Sequence, residues 1–368
     1  MTRLAVLGGG QLGWMLGRAG IPLGVEFVFL DPSAEAPAAA VGGLIVAGLD
    51  DEGAARKLAA GATVVTYEWE GVPAPTARAA GETVPVHPNP EILEVAQDRF
   101  LEKTRLRELG IETAAFRTVD SRAQLDEAVA ALGLPAVLKT RRGGYDGKGQ
   151  HVLRTTPADV DTAWAALGGV PLILEAFVPF ARELSIVAVR AADGTTLCWP
   201  VVENVHRDGI LRVTYAPASG HSSGLQARAE ACIRPLLDAY DYVGVGCVEL
   251  FDTGTDLLAN EIAPRVHNSG HWTIEGAHTS QFENHVRAVL GWPLGSTDLR
   301  EPSVMVNCIG ALPDADAVLA IPGAHLHDYA KTPRPGRKVG HITLVGPDAA
   351  ALTERVDRVR QLVSDCER

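Results

Sequence analysis

The sequence predicts an α/β protein in which a parallel amino-terminal domain is followed by a small separate module and a larger, strand-rich sheet. Short apolar strands alternate with helical segments up to His87-Pro88, which is typical of a parallel, doubly wound domain. A strand-loop-strand-helix-strand unit lies between residues 136 and 177, and strands predominate after Glu183. The 368 residues are enough for two or three domains.

The amino-terminal domain is predicted from five short strands with Ala-rich helical segments between them. These strands are Leu4–Leu7, Phe27–Leu30, Leu44–Val46, Thr63–Thr66 and Val84–Val86. The prolines in His87-Pro88-Asn89-Pro90 mark the end of this domain. The charged segment from Glu91 to about Leu109 is expected to be helical.

The later elements follow from the same alternation of apolar runs and turn residues. An extended stretch at Ile111–Val119 precedes a helix that Ser121 caps and that runs to Leu132. The expected strands are Ala136–Lys139, His151–Arg154, Leu172–Phe177, Leu184–Arg190, Thr196–Val202, Val213–Ala216, Gly246–Phe251, Leu257–Ile262 and Val304–Ile309. The expected helices are Ala158–Leu167, Gln226–Tyr240 and one at the carboxyl terminus, which follows a turn-rich stretch.

The composition argues against several classes of protein. Thirty-three basic and forty-five acidic residues give a net charge of -12, which repels a phosphate backbone, so no nucleic-acid partner is expected. The five cysteines form no CxxC pair, so neither a zinc site nor a disulfide framework is indicated. No apolar run approaches the roughly 18 residues of a membrane span, and no signal-peptide pattern is present. A cytoplasmic location is therefore expected.

A glycine-rich turn follows the first strand. In Gly8-Gly9-Gly10-Gln11-Leu12-Gly13 the glycines let backbone N–H groups at a helix start approach a phosphate, although a tight turn needs similar glycines for steric reasons. The second strand ends in Asp31, near the spacing of a ribose-binding acid. A nicotinamide-dependent dehydrogenase is therefore one possible interpretation of this segment.

A second glycine-rich segment lies between two strands of the small module. Gly143–Gln150 holds four glycines in eight residues, more than a hairpin turn needs, which indicates a flap that lies against a ligand. Lys148 within the flap and Lys139 before it supply cations for polyphosphate oxygens. Lys139 ends an otherwise apolar strand, where an unpaired charge is costly, and this favours phosphate binding over a solvated surface hairpin.

Two glutamates are predicted to face each other across a hairpin. Alternation along the strands Cys247–Phe251 and Leu257–Ile262 places Glu249 and Glu261 on one face, within roughly 8 Å. Such carboxylates repel unless one is protonated or a cation lies between them, and magnesium bridging to phosphate oxygens fits best. Asn260 should point to the other face unless a bulge intervenes.

Two polar segments follow in the last third of the chain. In Arg265–His271, Ser269-Gly270 argues against a helical metal-binding His pair; Arg265, His267 and Asn268 instead suggest a loop that grips an anionic or heterocyclic substrate. The stretch Lys331–Lys338 holds four cations in eight residues. Its prolines and glycine stiffen a loop that suits a phosphate monoester, although a solvated basic loop is as compatible with the sequence.

Together these motifs resemble the ATP-grasp superfamily, and within it the carboxyaminoimidazole ribonucleotide synthetases of bacterial purine biosynthesis. The similarity runs over nearly the whole chain, and GGYDGKGQ and HNSGH are its most specific segments. Val266 departs from the family, which usually has proline there. The resemblance implies an ATP-grasp fold with a Rossmann-like domain at 1–95, an ATP-grasp domain at 96–300 that includes a small lid at about 115–180, and a phosphate-binding segment at 301–368.

The resemblance also implies roles for individual residues. Those expected at ATP are Arg99, Lys139, Gly144, Tyr145, Asp146, Gly147, Lys148, Gly149, Gln150, Glu175, Ala176, Phe177, Glu183, His206, Asn260 and Glu261. Glu249 and Glu261 are expected to bind Mg²⁺. Those expected at the ribonucleotide are Gln11, Tyr145, Arg265, His267, Asn268, Lys331 and Arg337. The catalytic candidates are Asp146, Arg265 and His267.

The implied reaction uses ATP to phosphorylate bicarbonate, giving carboxyphosphate, which then carboxylates the exocyclic amine of 5-aminoimidazole ribonucleotide. Arg265 is the candidate for stabilising the anionic intermediate, and Asp146 or His267 could accept the amine proton. The family suggests a homodimer. Three alternatives stay open: a formate-dependent ATP-grasp relative, an NAD-dependent oxidoreductase, and a nucleotide sensor without turnover.

Overall fold

A computed structural model describes residues 2–144, 148–154 and 156–366 of the chain. They form three sheets, of four, nine and four strands. The strand pairs of the first sheet are parallel, whereas those of the other two are antiparallel. The predicted succession of a parallel domain, a small module and a large strand-rich sheet is confirmed.

The first sheet has the strand order β3-β2-β1-β4, with helices on its faces. Its elements are β1 (Arg3–Leu7), α1 (Gln11–Gly20), β2 (Glu26–Asp31), β3 (Gly43–Val46), α2 (Glu52–Ala59), β4 (Val64–Tyr67) and α3 (Ala74–Ala80). The strands β1 and β4 are almost entirely buried, as their apolar sequences predict. Because parallel strands end at the same edge of a sheet, the glycine turn after β1 and the residues after β4 lie together.

Two helices lead into the small sheet, whose strand order is β5-β8-β6-β7. The elements are α4 (Pro90–Ala96), α5 (Arg99–Glu108), β5 (Phe116–Val119), α6 (Arg122–Leu132), β6 (Ala136–Thr140), β7 (Gln150–Leu153), α7 (Pro157–Leu167) and β8 (Leu172–Ala176). Ser121 caps α6 by accepting from the Gln124 N–H (3.2 Å), as predicted. The segment at 91–109 is two helices, because Asp98 caps the second one by accepting from the Phe100 N–H.

The large sheet runs β14-β13-β9-β11-β12-β15-β17-β16, with β10 also paired to β9. Its first elements are β9 (Arg182–Arg190), β10 (Thr196–Cys198), β11 (Val202–Arg207), β12 (Ile210–Ala216), α8 (Ser223–Ala239), β13 (Gly244–Asp252) and β14 (Leu257–Ala263). The later ones are α9 (Thr273–Gly276), α10 (Gln281–Val289), β15 (Ser303–Ile309), α11 (Ala315–Leu319), β16 (Ala324–Asp328), β17 (Lys338–Val345) and α12 (Ala349–Cys366).

Three expectations about strands were wrong. Val84–Val86 forms only an isolated bridge, from Val86 to Val65, because Pro85 has no N–H to donate. The single strand expected at Thr196–Val202 is divided into β10 and β11, where Pro200 interrupts the ladder. The turn-rich stretch before the last helix also contains α11, β16 and β17. No residue of β16 is buried, and β17 buries the polar His341 and Thr343 among its apolar residues, so neither strand shows a regular apolar alternation.

The first and the large sheets share one apolar core. Leu4 and Phe27 of the first sheet belong to the same buried cluster as Val187 and Val189 of the large sheet, and α1 packs against α10. This packing fixes the glycine turn after β1 relative to the large sheet. Among the described residues, no helix has the length and apolar character that crossing a bilayer requires.

Candidate active site

Glu249 and Glu261 lie directly opposite each other on the β13–β14 ribbon. On the turn side of this pair Leu250 pairs with Ala259, so the register shifts by one residue and Asn260 is the extra residue of a β-bulge. Continuing the turn-side register would have placed Asn260 opposite Glu249. The glutamates therefore share a face, as predicted, but only because of the bulge.

The Glu249 carboxyl is largely enclosed, with 15% of its side chain exposed, whereas Glu261 is exposed. Burial and the nearby charge of Glu261 raise the pKa of Glu249 to about 8. His267 Nε2 lies 3.3 Å from Glu249 Oε1. Its Nδ1 accepts from the Ser269 N–H, so Nε2 carries the ring proton and points it at the carboxylate. His267 thus orients Glu249 in this structure.

Glu183 and His206 lie on neighbouring strands of the same sheet, close to the glutamate pair. His206 Nδ1 is 3.1 Å from Glu183 Oε2. Burial lowers the pKa of His206. The hydrogen bond to Glu183 and the charges of Glu249 and Glu261 raise it by more, so the pKa is raised overall. The imidazole therefore lies in an acidic environment that favours a cation.

Helix α5 connects the glycine-rich flap to the glutamate ribbon. The Arg99 guanidinium donates to the carbonyls of Thr140 (3.0 Å) and Gly144 (2.9 Å), at the base of the flap. One helical turn later, Lys103 Nζ donates to the carbonyl of Asn260 (2.9 Å). The flap base and the ribbon are therefore both held by side chains from one turn of the same helix.

A buried ion cluster lies between the small sheet and the ribbon. Glu175 Oε2 is 2.9 Å from Lys139 Nζ and 3.3 Å from Lys103 Nζ. Burial raises the pKa of Glu175, but these two ammonium groups lower it by more, so the pKa is lowered overall. Lys139 is thus paired within the protein, so the expected cost of an unpaired charge at that position does not arise.

Two residues expected at ATP, at the end of β8 and just after it, are already engaged through their backbone N–H groups. Ala176 donates to the carbonyl of Ala115 (2.7 Å) and Phe177 to that of Pro135 (3.2 Å). The Phe177 side chain is 43% exposed and so is available to contact a ligand. The Glu175 side chain faces the lysines described above.

The structure describes both ends of the flap. Gly149 has φ +70°, a Cβ on Gly144 would lie 2.7 Å from the Lys148 carbonyl oxygen, and Gly149 accepts from the Thr140 N–H (2.8 Å). Lys148 and Gln150 are exposed. Tyr145, Asp146 and Gly147 lie outside the described residues.

Arg265 contacts the amino-terminal domain. Its Nε donates to Glu70 Oε2, and its NH1 donates to the Val266 carbonyl (3.0 Å). Burial raises the pKa of Glu70, but the Arg265 guanidinium lowers it by more, so the pKa is lowered overall. Next to this pair, both amide atoms of Asn268 are buried without a hydrogen-bond partner among the described residues, which is typical of a ligand or water position.

The glycine turn after β1 is filled by carboxylates of the protein. Glu68 accepts from the N–H groups of Gly10 (2.5 Å) and Gly13 (2.6 Å), while Asp31 accepts from Gly9 (2.9 Å). A Cβ at Gly8, whose φ is +103°, would lie 2.5 Å from the Glu68 side chain. These glycines therefore make room for Glu68, at the helix start where a dinucleotide would place its pyrophosphate.

The basic loop Lys331–Lys338 returns to this turn. Lys331 Nζ donates to Gln11 Oε1, and Arg337 NH1 donates to the carbonyl of Thr332 (3.0 Å). Burial, followed by the charge of Arg337, lowers the pKa of Lys331 to about 8. The structure thus brings together Gln11 and Lys331, from opposite ends of the chain.

Several residues at this site were not among the sequence candidates. Glu68 and Glu70 follow β4, and Glu102 and Lys103 lie on α5. Lys338 was expected only as one of the four cations of the basic loop, and its charge acts on both Glu70 and Glu249. The parallel first sheet offered a signal for Glu68 and Glu70, because residues after β4 must lie beside the turn after β1. Nothing in the local sequence distinguishes Glu102 from other helical glutamates.

The donor set at the ribbon suits a hard cation. Among the described residues no group of three or more His, Cys, Asp or Glu side chains is placed to hold a metal ion alone. The ribbon offers two facing carboxylates, and the pKa of one of them, Glu249, is raised. It also offers the buried Asn260 Oδ1, which lacks a hydrogen-bond partner in the described chain. These three groups leave coordination sites of a cation open for other oxygen ligands. The residues fit a magnesium ion shared with a polyphosphate.

Comparison with known proteins adds family evidence. The ATP-grasp domain family matches residues 104–282, the ribonucleotide synthetase preATP-grasp domain matches 1–97, and the phosphoribosylaminoimidazole carboxylase C-terminal domain matches 303–355. The N5-carboxyaminoimidazole ribonucleotide synthase of Pseudomonas aeruginosa is 54% identical over 98% of this chain and 99% of its own. The chain belongs to the N5-carboxyaminoimidazole ribonucleotide synthase family.

Solved structures of this family have the same fold. The Thermus thermophilus synthetase has a TM-score of 0.94 and 54% identity, covering 98% of each chain. The Aspergillus clavatus synthase, crystallised with ADP and 5-aminoimidazole ribonucleotide, has a TM-score of 0.91 and 34% identity, covering 98% of this chain and 99% of its own. The expected ATP-grasp fold with a pre-ATP-grasp domain is confirmed.

Proposed function

We propose that this chain carboxylates the exocyclic amine of 5-aminoimidazole ribonucleotide, using ATP and bicarbonate and releasing ADP and phosphate. The observation that carries the proposal is the double attachment of α5. Its Arg99 holds the base of the glycine-rich flap, and its Lys103 holds the ribbon that carries Glu249 and Glu261. One rigid element thus brings a phosphate-covering flap and a metal-type carboxylate pair to the same site.

The reaction has two transfers. The γ-phosphoryl group of ATP passes to a bicarbonate oxygen, which forms carboxyphosphate and ADP. The amine nitrogen of the ribonucleotide then forms a bond to the carboxyl carbon, either of carboxyphosphate or of CO₂ released from it. The carbon–oxygen bond to phosphate breaks and the amine loses a proton. Carboxyphosphate is short-lived in water, so the flap must exclude solvent while both transfers occur.

ATP would lie between the small sheet and the large sheet. Lys139, Lys148 and Arg99 lie in or beside the flap and would neutralise the phosphates of ATP, while Phe177 and Glu183 would contact its adenosine end. Glu249 and Glu261 would hold Mg²⁺, which supplies charge neutralisation of the transferring phosphoryl group. The raised pKa of Glu249 supports this role, because a cation would replace the proton that the pair otherwise keeps.

The ribonucleotide would lie at the other side of the ribbon, between Arg265 and the glycine turn. Lys331 and Arg337 would bind its 5′-phosphate beside Gln11, and Asn268, with its unpartnered amide, would hydrogen-bond the imidazole or its carboxylated form. Arg265 would stabilise the anionic intermediate. His267 directs its ring proton at Glu249 here, so Asp146 is the better candidate for accepting the amine proton.

The test is ADP formation from ATP and Mg²⁺ with and without bicarbonate and 5-aminoimidazole ribonucleotide. Full turnover should need both, with one ADP per carboxylated product. Formate in place of bicarbonate should give no product, whereas a formate-dependent relative would give it. ATP binding without turnover under all conditions would indicate a nucleotide sensor and contradict the proposal.

The metal role is tested separately with Glu261→Gln. Glu261 is exposed, so the protein should fold normally while ADP formation falls by about 100-fold or more. The matched control is Asp256→Asn, an exposed carboxylate in the turn of the same ribbon, which should leave turnover unchanged. Near-normal turnover of Glu261→Gln would overturn the metal assignment.

We further propose three properties that the family suggests. They are a homodimer, a cytoplasmic location, and a division into units at 1–95, 96–300 (lid at about 115–180) and 301–368. The five cysteines are free thiols, which is typical of proteins in a reducing compartment. Sedimentation equilibrium at several concentrations tests the dimer, and limited proteolysis tests the boundaries.

A further inference from the structure

Two consecutive residues of α5 hold the β-bulge of the glutamate ribbon from both sides. Lys103 Nζ donates to the carbonyl of Asn260 (2.9 Å), and Glu102 Oε1 accepts from the backbone N–H of Ile262 (2.6 Å). These two backbone groups flank Glu261 in the chain. The helix therefore fixes the backbone immediately before and immediately after the exposed member of the carboxylate pair.

The bulge decides which face of the sheet Glu261 occupies. A one-residue slip in an antiparallel pair moves every side chain of the strand to the other face. If the turn-side register continued past Leu250, Glu249 would face Asn260, and Glu261 would face Val248, whose side chain is buried in the core on the other side. The carboxylate pair therefore exists only while the bulge persists.

The extra residue of a bulge is unpaired and disrupts the ladder locally, so contacts from outside the ladder can stabilise it. Glu102 is 2% exposed and Lys103 is 1% exposed, so both reach the ribbon from within the core. A carboxyl group buried there is costly unless it is hydrogen-bonded, and the Ile262 N–H supplies the bond. Glu102 is therefore shielded from solvent, and its carboxyl group bonds the ribbon through the Ile262 N–H.

We propose that Glu102 is a positioning residue for the metal site: its hydrogen bond to the Ile262 N–H keeps the bulge at Asn260 and thereby keeps Glu261 opposite Glu249. The inference rests on the proposed metal role of those two glutamates. Glu102 acts through the backbone, so what matters is an acceptor oxygen at the end of a side chain of this length, in either protonation state.

The test compares Glu102→Met, which fills the space without an acceptor, with Glu102→Gln, which keeps an acceptor oxygen. The experiment measures the binding of Mn²⁺ in the presence of ADP. Binding is detected as a decrease in the EPR signal of free Mn²⁺, so no turnover is needed. Removing a group that holds a metal ligand in place typically weakens metal binding by about 10- to 100-fold, and we expect about tenfold or more for Glu102→Met. Glu102→Gln should stay near the wild type.

The matched control is Glu108→Met, the same change at an exposed glutamate of the same helix, which should not alter Mn²⁺ binding. If Glu102→Met does not fold, Glu102→Asp replaces it, because the shorter side chain withdraws the acceptor from Ile262 and keeps the charge. The inference would be overturned if the folded Glu102→Met or Glu102→Asp protein bound Mn²⁺ with wild-type affinity. It would also be overturned if Glu102→Gln and Glu102→Met lost Mn²⁺ affinity equally.

The same experiment separates this inference from the proposed function. If wild-type protein with ADP bound no Mn²⁺, the metal assignment itself would fall and this inference with it. If wild-type protein bound Mn²⁺ and Glu261→Gln did not, while Glu102→Met did, only the role of Glu102 would be wrong.

Discussion

The Glu70 carboxylate pairs with the Arg265 guanidinium and so joins the amino-terminal sheet to the end of the glutamate ribbon. Both side chains are mostly enclosed, with 30% of Glu70 and 15% of Arg265 exposed. The proposed catalytic arginine is therefore held by a carboxylate from another sheet. This arrangement keeps the guanidinium in place before any substrate anion arrives.

The pair gives a prediction about Arg265. Arg265→Met should lower turnover by about 100-fold, because it removes the cation expected at the anionic intermediate. Glu70→Gln keeps the arginine and should lower turnover by only about tenfold or less, since positioning is loosened but the charge remains. Steady-state rates of ADP formation measure both. Equal losses in the two variants would show that the pair acts only as a structural link.

Glu68 gives a second prediction, about the rejected dinucleotide site. Its carboxylate already accepts from the N–H groups of Gly10 and Gly13, so NADH should not bind, and titration followed by NADH fluorescence should show no saturable change. Glu68→Ala leaves the buried Gly13 N–H and the partly buried Gly10 N–H without their acceptor and should destabilise the protein by about 2–4 kcal/mol. Urea unfolding measures this, with the exposed Glu52→Ala as the control. Saturable NADH binding to the wild type would revive the oxidoreductase alternative.

The order of elements was predictable from the sequence because apolar alternation and capping residues act locally. Ser121 capped its helix as expected, and the alternation of strands and helices gave the parallel first sheet. The strands β16 and β17 were missed for different reasons. No residue of β16 is buried, whereas β17 buries the polar His341 and Thr343 among its apolar residues. Neither strand therefore shows the regular apolar alternation from which a strand is predicted.

The glutamate pair was predicted for a partly wrong reason. Alternation assumed a regular register between the strands, whereas Asn260 is an extra residue that restores the facing of Glu249 and Glu261. The bulge depends on contacts from α5, which is distant in sequence, so local patterning could not reveal it. For the same reason the charge of Lys139 was taken as unpaired, although Glu175 pairs with it in the folded protein.

Lys331 gives a prediction about pH. Its pKa is lowered to about 8, so its charge is lost as the pH rises above 8. The 5′-phosphate is already fully ionised there, since its second pKa is about 6. KM for 5-aminoimidazole ribonucleotide should therefore rise by up to about tenfold per pH unit above 8, with kcat nearly constant. Steady-state kinetics between pH 7 and 9.5 measure this alkaline rise in KM.

The control for Lys331 is a change that keeps the cation at all pH values. Lys331→Arg should remove the alkaline rise in KM, because a guanidinium stays protonated, even if its absolute KM differs. Lys57→Arg, at an exposed lysine of α2, should leave the profile unchanged. An alkaline rise that persists in Lys331→Arg would assign it to another group.

His285 gives the last prediction, which concerns stability in acid. Burial lowers its pKa to about 3, its Nδ1 accepts from the Val245 N–H (3.1 Å), and its Nε2 lies 2.8 Å from Thr66 Oγ1. The unfolded chain binds a proton near pH 6.5 and the folded protein does not. Stability from this group is therefore complete above pH 6.5 and is lost as the pH falls, by about 2 kcal/mol at pH 5.

Replacing His285 by Asn isolates this contribution. Asn keeps an acceptor where Nδ1 lies but cannot be protonated, so the contributions of the other titratable groups remain while this one disappears. The free energy of unfolding in urea should fall less steeply between pH 6.5 and 5 in His285→Asn than in the wild type, by about 1.4 kcal/mol per pH unit. The exposed His278→Asn should keep the wild-type slope. Because His285 bonds both β4 and β13, an unchanged slope in His285→Asn would mean that this link between the two sheets already opens before unfolding.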